Sequence, residues 1–450
     1  MKELKVKPFL TYAIPERKEA VSWRGWGGIQ TKKDLSEEIN RINEELNKLS
    51  SKIEFPYKIL PLTPVKDKVN NEEINSSDVL LIYAAGGGVN LLEKLTSYDK
   101  PVIFFIRHRS GPIYLWYEIL HPRFLRKHTD EISRKNVSID DIVIDNYDEV
   151  LWRLKSLYGL KNTIGKKIIA VGGPSGWGTP DASYLARKKW KLKIVDYPYS
   201  ELGEKIRKEK NDKNILNEAK REAENYLKQK NITLKTDKNF VINSFILYKI
   251  FKDLLNEFHS DAITINECMG TIIPLAETTA CLPLSLLNDE GYLAFCESDF
   301  VVIPSGILLH YISGKPVFLN DPTTPHNGIV TLAHCTAPRK MDGKNYEPAE
   351  IVTHFESDYG AAPKVEFKKG EEITVINPAF NGKKWIGFKS KIIDIPFFPI
   401  CRSQMDIEIE GDWQKLLREM RGFHWMVSYG NYLREIRYAL KKNNIEFEII

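Results

Sequence analysis

The sequence predicts an α/β fold, with two parallel-sheet units followed by an antiparallel region. Three observations carry this. Continuous apolar runs such as "DVLLIYAAGGG" (Asp78–Gly88) and "PVIFFIRHR" (Pro101–Arg109) read as strands buried on both faces. Stretches of helical spacing separate such runs. The last third carries short alternating strands around tight turns instead.

In chain order, Leu35, Ile39, Ile42, Leu46 and Leu49 recur at spacings of four and three, which predicts an amphipathic helix. The two apolar runs above follow it. A second unit opens at "GKKIIAVGGPSGWGTPD" (Gly165–Asp181), a strand leading into a glycine-rich loop and then the helix "ASYLARKKW". Next come the strand "KLKIVDYP", a charged helix around Gly203–Gln229 and a more apolar helix over Asn239–Phe258. The strand "DAITIN", the turn "ECMGT", the strand "YLAFCES" and a helix near Val302–Ser313 follow. "KVEFKKGEEITVINP" and "KKWIGFKSKIIDI" read as antiparallel strands. "HWMVSYGNYLREIRYALKKNNIEFEII" closes the chain as strand, helix and strand. These changes place boundaries near Asn162 and Gly314, giving domains 1–162, 163–314 and 315–450, as expected for 450 residues.

Composition excludes several function classes. Apolar residues at 42% and charged residues at 28% are ordinary for a globular chain. No apolar run approaches the ~20 residues of a membrane span. The N-terminal stretch lacks the apolar core of a signal peptide, so a cytoplasmic location is expected. The net charge of +5 is dispersed, which argues against a nucleic-acid partner. The five cysteines form no CxxC pair, which argues against a zinc knuckle or a disulfide framework.

Four ionisable residues lie at the edges of apolar strands. Glu297 ends "YLAFCE", Asp321 follows "PVFLN", His334 follows "IVTLA" and His424 precedes "WMVSY". Singly, each is commonly a structural hydrogen-bonding group. Together they make a mixed oxygen and nitrogen set suited to Mn²⁺, Fe²⁺ or Co²⁺. Glu267 also follows a strand and faces the same sort of crevice. His326 is a further ligand, a substrate contact or a surface histidine. The loops "AAGGGVN" and "VGGPSGWG" lack a dinucleotide or P-loop fingerprint, so turns needing positive φ explain them better than a cofactor. Trp177, among glycines, suits either stacking on a ligand or packing at an interface.

"CLPLSLLNDEGYLAFCESD", "YISGKPVFLND", "LAHC" and "HWMVSYGNY" together resemble the L-fucose isomerase and L-arabinose isomerase superfamily. The resemblance implies two Rossmann-like α/β domains and a C-terminal domain with a small antiparallel β-barrel. It matches Glu297 and Asp321 to the metal carboxylates, which double as the catalytic proton carriers. It matches His424 to the late histidine ligand, and His334 resembles a further histidine ligand of the arabinose branch. Trp177, Glu267 and His326 are the expected substrate contacts. The implied activity is metal-dependent aldose–ketose isomerisation of a monosaccharide, with Mn²⁺ as the expected ion. The resemblance also implies a homo-oligomer, a trimer or hexamer, in which a neighbour's N-terminal domain helps close the site. Arg107–His108–Arg109 and "WRGWGG" (Trp23–Gly28) are candidates for that contact. The alternative is a non-enzymatic sugar-binding protein with an aromatic residue in a two-domain crevice.

Overall fold

The computed structural model describes residues 1–109, 111–115, 122–129 and 137–450. It divides into two compact units, Met1–Lys161 and Asn162–Ile450.

The first unit is built on six strands: β1 (Leu4–Thr11), β2 (Tyr57–Ile59), β3 (Thr63–Val65), β4 (Val79–Ala84), β5 (Val102–Ile106) and β6 (Ile142–Ile144). All pairings are parallel, in the order β2-β1-β4-β5-β6, with β3 also beside β1. The strands read as apolar, β4 and β5, are buried at every position. β1 is equally central, although Lys5 and Lys7 disguise it in the sequence. Lys7 is buried because Nζ donates to Pro61 O at 2.7 Å and pairs with Glu73 at 3.4 Å. The expected amphipathic helix spans Lys32–Ser50, and a Thr31–Asp34 capping box starts it. The Arg107–Arg109 cluster does not act as one surface: Arg107 turns inward to Glu38 at 3.5 Å, while His108 and Arg109 stay exposed.

The second unit opens with a parallel sheet of β7 (Lys167–Val171), β8 (Lys193–Tyr197), β10 (Ala262–Ile265) and β11 (Leu293–Cys296), in the order β11-β10-β7-β8. The chain runs outward from β7 in both directions. The β7/β10 boundary is therefore a topological switch point, where ligands bind at the carboxyl ends of strands. Two readings of this region need correction. The charged helix of Gly203–Gln229 is two helices, Tyr199–Asn211 and Lys213–Leu227, broken where the Asp212 side chain accepts from Asn214 N–H at 2.8 Å. "ECMGT" is not a turn between elements: Glu267 takes φ +48° and the helix Cys268–Ala276 starts directly after it. The apolar helix Lys238–Glu257 supplies the largest share of this half's core.

Six later strands are β12 (Phe318–Pro322), β13 (Ile329–His334), β16 (Glu372–Pro378), β17 (Lys384–Asp394), β18 (Ser403–Ile409) and β19 (Trp425–Tyr429). They close an antiparallel six-strand barrel, β16-β19-β12-β13-β18-β17 and back to β16. Phe318, Leu332, Val375, Phe388, Met405 and Trp425 belong to its core. β20 (Glu446–Ile449) pairs in parallel with β17 outside the ring. The two halves share a small sheet, in which β9 (Ile232–Leu234) of the first half pairs in parallel with β14 (Ala349–Val352), and β14 with β15 (Ala362–Val365). The parallel sheet gives way to the barrel after the helix Ile303–Ser313, within one compact unit. Gly314 ends the helix Ile303–Ser313 with φ +69°. Among the described residues, no single helix is long and apolar enough to cross a membrane.

Candidate metal centre

The strand ends converge as the residue types require. β11 delivers Glu297 at its carboxyl end. Glu297 and Ser298 then take φ +64° and +47°, which turns the chain so that Glu297 lines the cavity while Asp299 lies buried behind. Two consecutive left-handed non-glycine residues carry ~1–3 kcal/mol of strain each, a pattern concentrated at functional sites. Asp321 lies within β12, opposite Ala333, so His334 follows one residue along the neighbouring strand. His424 directly precedes β19, which pairs with β12 on its other side.

His424 Nε2 lies 3.3 Å from both Glu297 Oε2 and Asp321 Oδ1. His334 Nε2 lies 3.6 Å from Glu297 Oε1. Asp321, His334 and His424 offer atoms all within 4.8 Å of one another, as do Cys296, Glu297 and His334. Glu297 Oε2, Asp321 Oδ1, His334 Nε2 and His424 Nε2 are buried and make no hydrogen bond. Buried polar atoms left without partners are costly unless something binds them. This group can hold a metal ion.

The two imidazoles are set up differently. His424 Nδ1 lies 2.8 Å from Asp299 Oδ2; the carboxylate can only accept, so Nδ1 carries the proton and Nε2 presents a lone pair. His334 Nδ1 accepts the Cys335 backbone N–H at 2.9 Å, and Thr336 Oγ1 lies 3.1 Å away. Burial opposes a charge on His334, whereas Glu297 and Asp321 raise its proton affinity. A proton on Nδ1 would face the Cys335 N–H, so the ring that fits carries its proton on Nε2.

The carboxylates diverge as well. Burial pushes the Asp321 carboxyl up, partly offset by His334 and His424. Burial acts the same way on Glu297, but there the two imidazoles outweigh it and hold the carboxyl well below its usual range. For His424, burial works against the charge, yet Asp299 and Glu297 push its pKa up to about 10, so a binding ion has to displace the Nε2 proton to reach that lone pair.

The group faces a cavity of about 720 Å³, also lined by Ser175, Trp177, Asn266, Glu267, His354 and Phe423. Trp177 is 44% exposed. It stacks on Phe423 with ring centres 4.3 Å apart and planes at 2°, and meets His424 edge-on at 5.6 Å. The structure thus brings Glu297, Asp321, His334, His424, Trp177 and Glu267 together. It does not bring His326 with them. His326 is exposed on the β12–β13 hairpin, its Nδ1 2.9 Å from Thr324 O, and it does not line the cavity. The hairpin turn carries it past the strand ends. The sequence reading missed Asp299, Phe423, His354 and the thiols. Asp299 was legible as the last residue of "CESD"; the others follow no spacing rule.

Compared with known proteins, the chain matches no family model, and no curated protein matches it significantly.

Proposed function

We propose that this chain is a metal-dependent aldose–ketose isomerase of the kind its sequence resembles. The observation that carries the reading is the convergence of buried, hydrogen-bond-free atoms from Glu297, Asp321 and His424 at the mouth of a cavity of sugar-accommodating size. Two carboxylates and one imidazole with an outward lone pair suit a divalent ion of the Mn²⁺ type. When bound, the ion would act as a Lewis acid on adjacent substrate oxygens.

The chain's own residues would do the rest. Isomerisation moves one proton between C1 and C2 and another between their oxygens. Asp321, whose burial favours the protonated form, and Glu297, which stays ionised, are a donor and an acceptor on one cavity wall. His334, with its proton on Nε2, belongs beside the ion as a hydrogen-bond donor to a substrate oxygen rather than as a ligand. The Trp177–Phe423 stack offers an apolar platform for a sugar ring face. A purely sugar-binding protein would have no use for the ionisable group. By the same resemblance we take the assembly to be a trimer or hexamer, which light scattering at micromolar concentration checks.

The test is to follow aldoses and ketoses by NMR in D₂O, with Mn²⁺ and then with chelator. The reading expects interconversion only with the ion, and solvent deuterium at C1 or C2 of recovered sugar. Mn²⁺ binding without turnover of any sugar would reduce the protein to a binding role. Turnover without solvent label would reject the carboxylate proton carriers.

A further inference from the structure

All five cysteines of the chain, dispersed from Cys268 to Cys401, line the same cavity. All are free thiols. Three of them, Cys281, Cys335 and Cys401, pack into one cluster with Ala362. Cys335 lies at its centre: it is 1% exposed, in side-chain hydrogen-bonding contact with both Cys281 and Cys401. The Arg402 backbone N–H donates to Cys335 Sγ at 3.4 Å, which fixes that sulfur against the segment carrying Cys401. Cys401 is the partly exposed member and Cys281 is buried. An oxidant entering the cavity therefore meets Cys401 before the buried pair.

We propose that Cys401 and Cys335 form a reversible disulfide site, with Cys401 as the thiol that meets a peroxide and Cys335 as the resolving thiol. In the first step the Cys401 sulfur attacks hydrogen peroxide. One oxygen transfers to sulfur, the O–O bond breaks, water leaves and a sulfenic acid forms. In the second step the Cys335 sulfur attacks the Cys401 sulfur, the S–O bond breaks, a second water leaves and the S–S bond forms. The two thiols give up two hydrogens and two electrons; the peroxide is reduced to two waters. A dithiol reductant reverses the bond by exchange.

The site is wired to the metal centre through one residue. Cys335 directly follows His334, and its backbone N–H holds His334 Nδ1. Drawing the Cys335 side chain toward Cys401 moves the peptide that sets the His334 ring, at the edge of the Glu297, Asp321 and His424 group. Oxidation is therefore expected to displace the His334 ring while leaving Mn²⁺ affinity within a few-fold. The disulfide itself does not depend on the isomerase reading.

The experiment treats the full chain with hydrogen peroxide, blocks remaining thiols by alkylation, and maps the non-reduced digest by mass spectrometry. The proposal expects a Cys335–Cys401 cross-linked peptide, loss of two of the five thiols, and recovery of all five with dithiothreitol. Cys401→Ser and Cys335→Ser should each abolish the cross-link. Cys401→Ser, being partly exposed, guards against a result due to misfolding. Persistence of five thiols, a cross-link through Cys281, or oxidation that stops at a sulfinic acid on Cys401 would each overturn the site. The His334 imidazole signals in NMR, assigned by their loss in His334→Gln, should shift on cross-linking and return with dithiothreitol. Unshifted signals would overturn the coupling to the metal centre.

Discussion

Asp299 lies buried behind the cavity, and its side chain decides which nitrogen of the His424 ring faces inward. Asp299→Asn keeps the size but can present an amide N–H to Nδ1, which favours the tautomer with its proton on Nε2. Mn²⁺ affinity should fall by roughly 10–100-fold, the usual effect of losing a partner behind a ligand. Titration calorimetry reads this without any turnover, and unchanged affinity would remove Asp299 from its positioning role. His334 gives the contrasting outcome. His334→Gln should leave Mn²⁺ affinity within a few-fold of the parent, since its Nδ1 is taken by the Cys335 N–H, while turnover falls by roughly 10²–10⁴-fold as for a lost proton-handling group. A large loss of Mn²⁺ affinity would make His334 a ligand instead. Glu297, Asp321, His334 and His424 were legible in the sequence because two carboxylates and two imidazoles share one placement at the edges of apolar runs, although each alone is commonly structural. His326 satisfied the same rule but belongs to a hairpin tip, and no local pattern distinguishes a strand's end from the turn beyond it. Phe423 was hidden because stacking on Trp177 joins residues far apart in the chain.

Between the residues and the whole lie the packed elements that hold the strand ends in register. The buried helix Ile303–Ser313 crosses β11 and β19 at Gly306. A methyl group there would meet Phe295 Cε1 and Met426 Cε at 2.7 Å each. The Phe295 ring is fully buried and cannot withdraw, so Gly306→Ala should cost about 1–3 kcal/mol by overpacking. β11 leads into Glu297 and β19 follows His424, so Mn²⁺ affinity should fall with it. A urea midpoint and an Mn²⁺ titration equal to the parent's would show that this contact has slack. A second element-scale prediction concerns the helix Cys281–Asp289, whose last residue is buried. Burial pushes the Asp289 carboxyl up to about 7, against the Lys340 and Arg339 N–H groups that donate to it at 2.7 and 2.8 Å. The folded chain then holds this proton more tightly than the unfolded chain does, so this group's contribution falls as pH rises from about 4 to about 7. Asp289→Asn keeps an acceptor for both N–H groups and removes the charge. Its urea midpoint should change less between about pH 5 and about pH 8 than the parent's, and an equal change would refute the assignment. Helices and strands of this kind were mostly legible from period and apolarity. The exceptions have local causes: a cap at Asp212 that splits a helix, and Lys7 in β1, whose charge is satisfied inside the fold.

At the scale of the molecule, all the ion-facing residues belong to the unit Asn162–Ile450, and they come from both of its halves. Glu297 ends a strand of the parallel sheet; Asp321, His334 and His424 belong to the barrel. Alternating strands in the last third signalled antiparallel pairing, but ring closure depends on β16 pairing with β19 as well as with its neighbour β17, and a partner as distant as β19 leaves no mark on any one strand. A bound ion would cross-link sheet to barrel. Binding to the folded form alone stabilises by RT ln(1 + [L]/Kd), about 2.7 kcal/mol when the ion is at about 100 times its Kd. Because no described residue of Met1–Lys161 belongs to the group, that gain should be local. Hydrogen exchange of the full chain with and without Mn²⁺ reads the difference directly. Slower exchange is expected in β11, β12, β13 and β19, while β4 and β5 of the first unit exchange as before. Exchange unchanged everywhere at saturating Mn²⁺ would mean that sheet and barrel are already locked without the ion. Slowing spread equally over both units would mean that the ion acts on the assembly rather than on this seam. Glu297→Gln should abolish the protection on the barrel strands as well as on β11, since a cross-link fails at either end.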